Sequence, residues 1–357
     1  ITAVLEGAVD EVVRNDAAFR LARIHFQKNQ MPDALRALAR IDGEVPERIR
    51  DDIEFLRANI YLAENRAGDS IEVLKKLQDS ERYGGFAAYN LGIAYLDAGQ
   101  RQAALQQLER AGQIKTDDVA DLAIRDKSNL VLGTLLYEAG EYNQARPYLN
   151  RVRLDGPFSN QALLSAGWAN ASVDNFERAV VPWSILAERE RTDAAVQEAR
   201  LALPFAYGQM EIHGRAALLY GEALESFDEE VGRIEASIES IRQGRFLEAL
   251  VREEIRQDKD WVIRLRSLPE SPETYYLMEM LASHDFQTAL QNYLDLEDLR
   301  SRLARWQGGF DAFEEMTELR RDYYEPRLPV VDQEFREFDS RIRLRREQYE
   351  LLQRRLQ

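Results

Sequence analysis

The sequence contains no cysteine and only three histidines, His25, His213 and His284, which are spread over distant parts of the chain. Without cysteine there can be no disulfide, no thiolate metal ligand and no thiol nucleophile. The HExxH zinc motif, a glycine-rich nucleotide loop and the GxSxG nucleophile turn are absent as well. The sequence therefore predicts a protein that is not an enzyme, with no catalytic residue, no metal site and no cofactor.

Long apolar runs are missing too. The longest uncharged stretch, Gly156–Val173, contains a proline and several serine, asparagine and glutamine residues. A helix that crosses a bilayer needs about 20 mostly apolar residues. We therefore expect no membrane span in this chain.

Positive charge is scarce, because 47 lysines and arginines stand against 63 acidic residues, a net charge of −16. Contacts to phosphates need clustered basic residues, so nucleic acid is not an expected partner. Arginine supplies 41 of the basic residues and lysine only 6, a bias typical of GC-rich bacterial genomes. The chain begins with Ile1 rather than methionine, and no signal-like segment precedes the first helix. We expect a processed or excised piece of a bacterial protein.

What the sequence does contain is a repeated pattern, clearest in Tyr89–Ala111. Gly92 and Ala104 are small, as they must be where two helices cross closely. Gly99 is placed to end the first helix, because glycine readily adopts the positive φ that such a cap requires. Apolar residues follow at helical spacing, namely Leu91, Tyr95, Leu108 and Ala111. The pattern resembles that of the tetratricopeptide repeat (TPR) family.

Weaker copies of the pattern extend along most of the chain. The small residues of the first helix are Ala22, Ala58, Gly92, Gly133 and Gly167. Those of the second helix are Ala34, Ser70, Ala104, Ala145, Ala179, Ala216, Ala249 and Ala289. The gaps in the second series are 36, 34, 41, 34, 37, 33 and 40 residues, scattered around the family period of about 34. The resemblance therefore covers residues 17–296.

The resemblance implies an all-α fold, a right-handed α-solenoid of TPR-like helix-turn-helix units. We expect a leading helix in residues 1–15, which either caps the stack or completes a truncated earlier unit. An array of about six units follows in residues 16–227, and divergent TPR-like helices occupy residues 228–295. Pro204 falls inside the first helix of the sixth unit, where it predicts a kink and a change in the direction of the superhelix.

The apolar period changes at Leu296. From there, apolar residues alternate at three and four positions, the spacing of a coiled-coil seam. The break Glu325–Pro329 separates this series from a second one, so residues 296–357 are predicted to form a long antiparallel helical hairpin. We expect its exposed surface to bind a partner helix, a second copy of the chain or a continuation of the chain. Its arginine-rich end is also suited to fold back onto the acidic array. The candidate hairpin residues are Trp306, Phe310, Phe313, Phe335 and Phe338.

In the TPR family the first helices line a concave groove that binds protein segments. Carried over by position, the resemblance implies an aromatic and apolar floor with few charges. The candidate groove residues are Asn59, Tyr89, Ile93, Thr134, Tyr137, Gln161 and Trp168. The alternative for Tyr89, Tyr137 and Trp168 is packing within the array. The basic cluster with which some family members hold a chaperone's terminal carboxylate is not matched here.

These observations favour a non-enzymatic scaffold or adaptor that binds a helix or an extended segment of another protein. We expect it to act in bacterial envelope assembly or secretion, in the periplasm or associated with the envelope, with a homodimer through the C-terminal hairpin as a further expectation. The alternative is a regulatory interaction module of a larger chain whose enzymatic or membrane domain lies outside residues 1–357. For that module the cytoplasm is the alternative location.

Overall fold

The computed structural model describes residues 10–256, 274 and 276–356, and within these ranges the chain is helical and contains no strand. It divides into two compact units, Ile1–Phe286 and Gln287–Gln357. No helix in the described ranges is both long enough and apolar enough to cross a membrane. The predicted all-α fold, with helical repeats followed by long C-terminal helices, is confirmed.

The first unit is a succession of helices joined by short turns. They are α1 (Glu11–Gln27), α2 (Met31–Leu38), α3 (Glu47–Ala63), α4 (Ala67–Leu74), α5 (Gly84–Asp97), α6 (Arg101–Gly112), α7 (Val119–Glu138), α8 (Tyr142–Leu149), α9 (Ser159–Ala171), α10 (Phe176–Ala187), α11 (Ala194–Gln209), α12 (His213–Arg242), α13 (Arg245–Arg256) and α14 (Met278–Ala282). From α1 to α13 each helix packs against the next, and each odd-numbered helix from α1 to α9 also contacts the following odd-numbered one. The odd-numbered helices therefore form one face of a solenoid.

A left-handed turn ends each first helix. Its positive-φ residues are Asn29, Asn65, Gly99, Gly140, Asp174, Glu211 and Gly244. Each lies five positions before a predicted small residue of the second helix. At Gly99 the amide donates to the Leu96 carbonyl at 2.9 Å and the Gln100 amide donates to the Tyr95 carbonyl at 2.7 Å, the bonds of a Schellman cap. The predicted repeat register is thus confirmed for seven copies.

The eighth copy is a different structure. Ala289 lies inside the long helix α15 (His284–Tyr324), and His284, five positions earlier, is that helix's first residue. No positive-φ turn precedes it, because Ser283 has extended backbone with φ −68° and ψ 145°. The second helix of the eighth copy is therefore the start of the long helix α15, and an extended residue, Ser283, takes the place of the left-handed turn after α14.

The small residues permit close helix crossings, as predicted. A Cβ on Gly92 would lie 2.6 Å from Leu108 Cγ, and one on Gly133 would lie 2.5 Å from Leu149. At Gly167 the atom would lie 2.1 Å from Nε1 of Trp183, which is fully buried. Each first helix thus lets a large side chain of its second helix rest on its backbone.

Polar side chains near the start of the first helices hold the loops between units. Asn15 donates to the carbonyls of Asp42 and Glu44, each at 2.8 Å. The fully buried Asp126 accepts from Arg153 Nε at 2.7 Å. Asn15 and Asp126 each lie 14 positions before the left-handed turn of their own repeat. The equivalent positions of other repeats hold Asp51, Gly85, Asn160 and Gln197. This recurring position was not predicted, although polar residues at a fixed distance before the turn could have revealed it.

Two boundaries differ from those predicted. The side chain of Asp10 accepts a hydrogen bond from the Val12 amide and caps α1. Residues 11–15, predicted as part of the leading helix in residues 1–15, therefore belong to the first repeat, and residues 1–9 lie outside the described ranges. Helix α12 runs for 30 residues without a loop between the sixth and seventh copies, which explains the shortest gap in the series.

Pro204 does not break its helix. Helix α11 runs unbroken through it from Ala194 to Gln209, and Pro204 itself is buried. The missing amide removes one hydrogen bond, but the apolar surroundings, which include Val196, Ala199 and Leu203, pack the helix against its neighbours.

The second unit contains most of α15, a short 3₁₀ turn at Glu325–Arg327 and α16 (Leu328–Leu356). The predicted proline break therefore coincides with this turn. An antiparallel hairpin, as predicted, would bury the two apolar seams against each other, whereas α15 and α16 follow one another through the 3₁₀ turn and do not pack side by side. In the chain by itself the large apolar side chains from Leu296 to Leu352 are exposed.

We predict that Gly167→Ala lowers the free energy of unfolding of the first unit by about 1–3 kcal/mol, because the new Cβ must displace the buried Trp183. Chemical denaturation of the full chain measures it.

Gly221→Ala is the matched control, since Gly221 is an exposed helical glycine with nothing within 4 Å of the added atom. It should raise stability by about 0.5–1 kcal/mol. Equal effects of the two variants would contradict the close crossing.

Candidate partner-binding surfaces

A groove of about 320 Å³ crosses the first three helical repeats of the first unit, on the face of the odd-numbered helices. Helices α1 and α3 supply most of its lining, and the segment before α5 completes it. The lining residues are Phe19, Arg23, Phe26, Gln27, Asp52, Phe55, Leu56, Asn59, Arg82 and Tyr83. The groove thus joins aromatic rings to two cationic side chains.

Aromatic packing makes one wall of the groove rigid. Phe55 stacks on Tyr83 with 4.5 Å between ring centroids, and Phe86 meets Phe55 edge-on at 6.1 Å. Tyr83 is further held by its hydroxyl, which donates to Asp52 Oδ1 at 2.8 Å. A wall fixed in this way loses little conformational entropy when a partner binds.

Of the charged side chains that line the groove, Asp52 is bonded to its neighbours, whereas Arg23 is not in an ion pair with any described residue. Asp52 accepts hydrogen bonds from both Tyr83 and Arg82, the latter at 2.8 Å. Burial of its hydroxyl, followed by the bond to Asp52, raises the pKa of Tyr83 from its ordinary value of 10.0 to about 12. Arg23 lies 5.8 Å from the centre of the Phe19 ring and is exposed. Among the described residues no carboxylate lies within ion-pair distance of Arg23.

Four of the predicted groove residues continue the same face toward the middle of the array. Asn59 on α3 accepts a hydrogen bond from Asn90 at 2.8 Å and also lines the groove. On α5, Tyr89 lies under the ammonium of Lys127 at 5.4 Å, while Ile93 is half-buried. Thr134 on α7 is half-buried as well.

The remaining three are Tyr137 on α7 and Gln161 and Trp168 on α9. Tyr137 packs against the ring of Tyr142, with 5.2 Å between centroids. Gln161 is exposed, whereas Trp168 is half-buried and donates from Nε1 to Glu198 Oε1 at 2.6 Å. All seven residues lie on odd-numbered helices. Tyr89, Tyr137 and Trp168 each make contacts within the array and keep part of their surface accessible.

Sequence reasoning missed the N-terminal end of this groove. The predicted candidate residues lie in the second to fifth repeats. Phe19, Arg23 and Phe26, which line the cavity, belong to the first repeat. Arg23 stands six positions before its turn, as Asn59, Ile93 and Trp168 stand before theirs. The positional rule used for the later units would have found Arg23.

The second unit presents a different surface. Along α15 and α16 the five predicted residues are all exposed, namely Trp306, Phe310, Phe313, Phe335 and Phe338. Phe335 retains 71% of its accessible surface and Trp306 66%. A strip of large apolar side chains with this exposure is typical of an interaction surface.

Within the described ranges no group of three or more histidine, aspartate or glutamate side chains is arranged to hold a metal ion. No protein-family model matches the chain, and no curated protein matches it.

Solved structures of MamA are similar to about half of the chain. MamA of AMB-1 is 23% identical, with a TM-score of 0.39, over 50% of this chain and 92% of that one. MamA from Desulfovibrio magneticus RS-1 is 16% identical, with a TM-score of 0.39, over 50% of this chain and 96% of that one.

We predict that Tyr83→Phe removes one tyrosine, the one whose pKa is raised to about 12. Since the pKa is raised in the folded state, this tyrosine stabilises the fold below about pH 10 and loses that contribution as the pH rises toward 12. The variant should therefore lose stability less steeply across this interval. Ultraviolet titration of the tyrosines and denaturation at each pH measure the two effects.

The control is Asp52→Asn, which keeps the tyrosine but removes the charge beside it. In Asp52→Asn the titration of Tyr83 should be retained, but it should move to lower pH than in the parent chain. An unchanged titration in both variants would contradict the assigned contact.

Proposed function

We propose that this chain is a non-enzymatic, TPR-like scaffold that binds another protein through the groove formed by its odd-numbered helices. The observation that carries the proposal is the cavity across α1, α3 and the start of α5, where Phe19, Phe26 and Phe55 lie beside the exposed Arg23. Concave aromatic surfaces with a few placed polar groups are suited to binding a few large side chains of a partner.

The chemistry of the groove selects the partner segment. Its apolar lining suits one or two large aliphatic or aromatic side chains. Arg23 has no carboxylate partner in the described chain, so an acidic side chain of the bound segment would complete its bonding. Asp52 is already engaged by Tyr83 and Arg82 and therefore opposes the acidic segment less than a free carboxylate would. The proposed ligand is a helix or an extended segment that combines apolar anchors with an aspartate or glutamate.

In the proposed scaffold the groove and the C-terminal helices are two separate binding surfaces. The first unit binds the partner segment, and the exposed seams of α15 and α16 bind another helix, including that of a second copy in a homodimer. As context we propose bacterial envelope assembly or secretion, in the periplasm or on the envelope; the arginine-rich composition supports the bacterial source. The alternative, a regulatory module of a longer and then cytoplasmic chain, shares the same groove and would be recognised by its additional domain.

Selection from a random peptide library displayed on phage shows which peptide sequences bind to the groove. We predict that the parent chain enriches peptides with large apolar residues next to aspartate or glutamate. Arg23→Glu should weaken the selected acidic peptides at least about tenfold, because a charge-assisted hydrogen bond of about 1.5–3 kcal/mol is lost. The same variant should enrich peptides with lysine or arginine instead.

Arg40→Glu is the matched control, since Arg40 is exposed beyond α2 and does not line the groove. It should leave the selected sequences unchanged. Enrichment that responds equally to both charge reversals would reduce the effect to net charge and overturn the groove assignment.

A further inference from the structure

The two long helices of the second unit follow one another without reversing direction. The backbone is helical on both sides of the turn, with φ −94° and ψ −38° at Tyr324 and φ −55° and ψ −45° at Leu328. Between them the chain forms a single 3₁₀ turn, Glu325–Arg327. The helices do not pack side by side. In this conformation α16 cannot cover α15 of the same chain.

The three-and-four spacing of the seam nevertheless continues through the turn, and all but three of the seam positions hold apolar or aromatic residues. On α15 it consists of Leu296, Leu299, Leu303, Trp306, Phe310, Phe313, Thr317, Arg320 and Tyr324. On α16 it continues with Leu328, Val331, Phe335, Phe338, Ile342, Arg345, Tyr349 and Leu352. Steps of three and four alternate, except for two successive steps of four at Tyr324, a local insertion that a helical seam tolerates.

This seam is symmetric about Tyr324. Every seam position on α15 has a counterpart on α16 at the same number of residues from Tyr324, so that Phe313 corresponds to Phe335 and Phe310 to Phe338. Two chains placed antiparallel about a two-fold axis at Tyr324 would therefore match every seam residue with a seam residue of the other copy. Such a self-complementary patch is what a two-fold dimer requires.

We infer that the second unit is an antiparallel self-association segment, in which α15 of one copy packs along α16 of a second copy. The inference deepens the self-association proposed above and rests on it, while the groove of the first unit does not depend on it.

The polar seam positions favour the antiparallel over the parallel orientation. In a parallel pair in register, Arg320 would face Arg320 of the second copy, and Arg345 would face Arg345. Like charges placed together in an apolar seam are strongly unfavourable. In the antiparallel pair, Arg320 faces a leucine equivalent to Leu328 and Arg345 one equivalent to Leu303, so each guanidinium can extend past an apolar side chain to water.

The distribution of charge along the segment supports the same orientation. Residues 341–355 carry six arginines and two glutamates, whereas the opposing residues 293–307 carry three arginines and three acidic residues. A parallel pair would place the two arginine-rich ends together. The antiparallel pair places each against a neutral segment and avoids that repulsion.

Because the chain has no cysteine, single labels can test the arrangement in the full chain. Ser301→Cys and Ser340→Cys introduce sites at exposed serines off the seam, which lie about 58 Å apart along continuous helix at 1.5 Å per residue. We predict efficient energy transfer when Ser301→Cys chains that carry a donor are mixed with Ser340→Cys chains that carry an acceptor. When both chains are labelled at position 301, the mixture should show little transfer, since antiparallel pairing separates these sites by about 69 Å.

Sedimentation completes the test. The parent should be a dimer, and the double variant Phe335→Glu, Phe338→Glu should be a monomer. Leu344→Glu is the control, because Leu344 is a comparably exposed apolar residue of α16 that lies off the seam. It should remain a dimer.

Each contrary result has its own meaning. Transfer between identical sites would show parallel pairing and overturn the inference while leaving self-association standing. A monomeric parent, with no transfer in either mixture, would overturn self-association itself. Peptide selection on the same variants would still report independently on the groove.

Discussion

The left-handed turn that ends each first helix is the constraint on which the rest of the array depends. Its positive φ lets two amides cap the helix and returns the chain so that a small residue lies five positions later. That residue faces the small residue of the first helix, which lets Leu108, Leu149 or Trp183 rest on backbone. Glycine is not indispensable for the turn, because asparagine and aspartate tolerate this conformation. Glu211, the residue of the series least suited to positive φ, lies at the turn before α12. That helix then runs on without the loop that separates the other repeats.

Repetition of this turn also determines how the acidic chain uses its charges. The odd-numbered helices lie side by side, so a carboxylate on one can bond to a side chain on or next to a neighbour. Asp52 holds Tyr83 and Arg82 in this way, and Glu198 holds Trp168. These carboxylates position aromatic rings of the floor instead of repelling an acidic ligand from it. The exposed Arg23 then gives the mouth of the groove a sign opposite to that of the whole chain.

Features encoded within a single unit could be predicted from the sequence, whereas those that join distant segments could not. The small residues, the turn at Gly99 and the seam from Leu296 depend on short spacings, and the structure reproduces them. The bonds of Asn15 and Asp126 reach loops 27–29 residues away, and no local pattern identifies the acceptor or donor. Pro204 lacks an amide, but α11 runs unbroken through it, and the helix packs against its neighbours through Val196, Ala199 and Leu203. In the groove, the face was predictable, but Arg23 became evident only when the cavity placed it beside Phe55 and Tyr83.

The two units bury apolar surface by different means. In the first, each helix covers its predecessor, so the core grows with the chain and its stability does not depend on protein concentration. In the second, backbone geometry at Tyr324 and Leu328 carries α16 away from α15, so neither helix covers the seam of the other. Local helix propensity alone supports only marginal stability for an isolated helix, and in the inferred dimer the second copy supplies the burial of the seam. Stability of the second unit then varies with the concentration of whatever binds the seam, while the groove remains formed in either state. A scaffold built in this way can present its binding site before assembly and bring two copies of that site together after it.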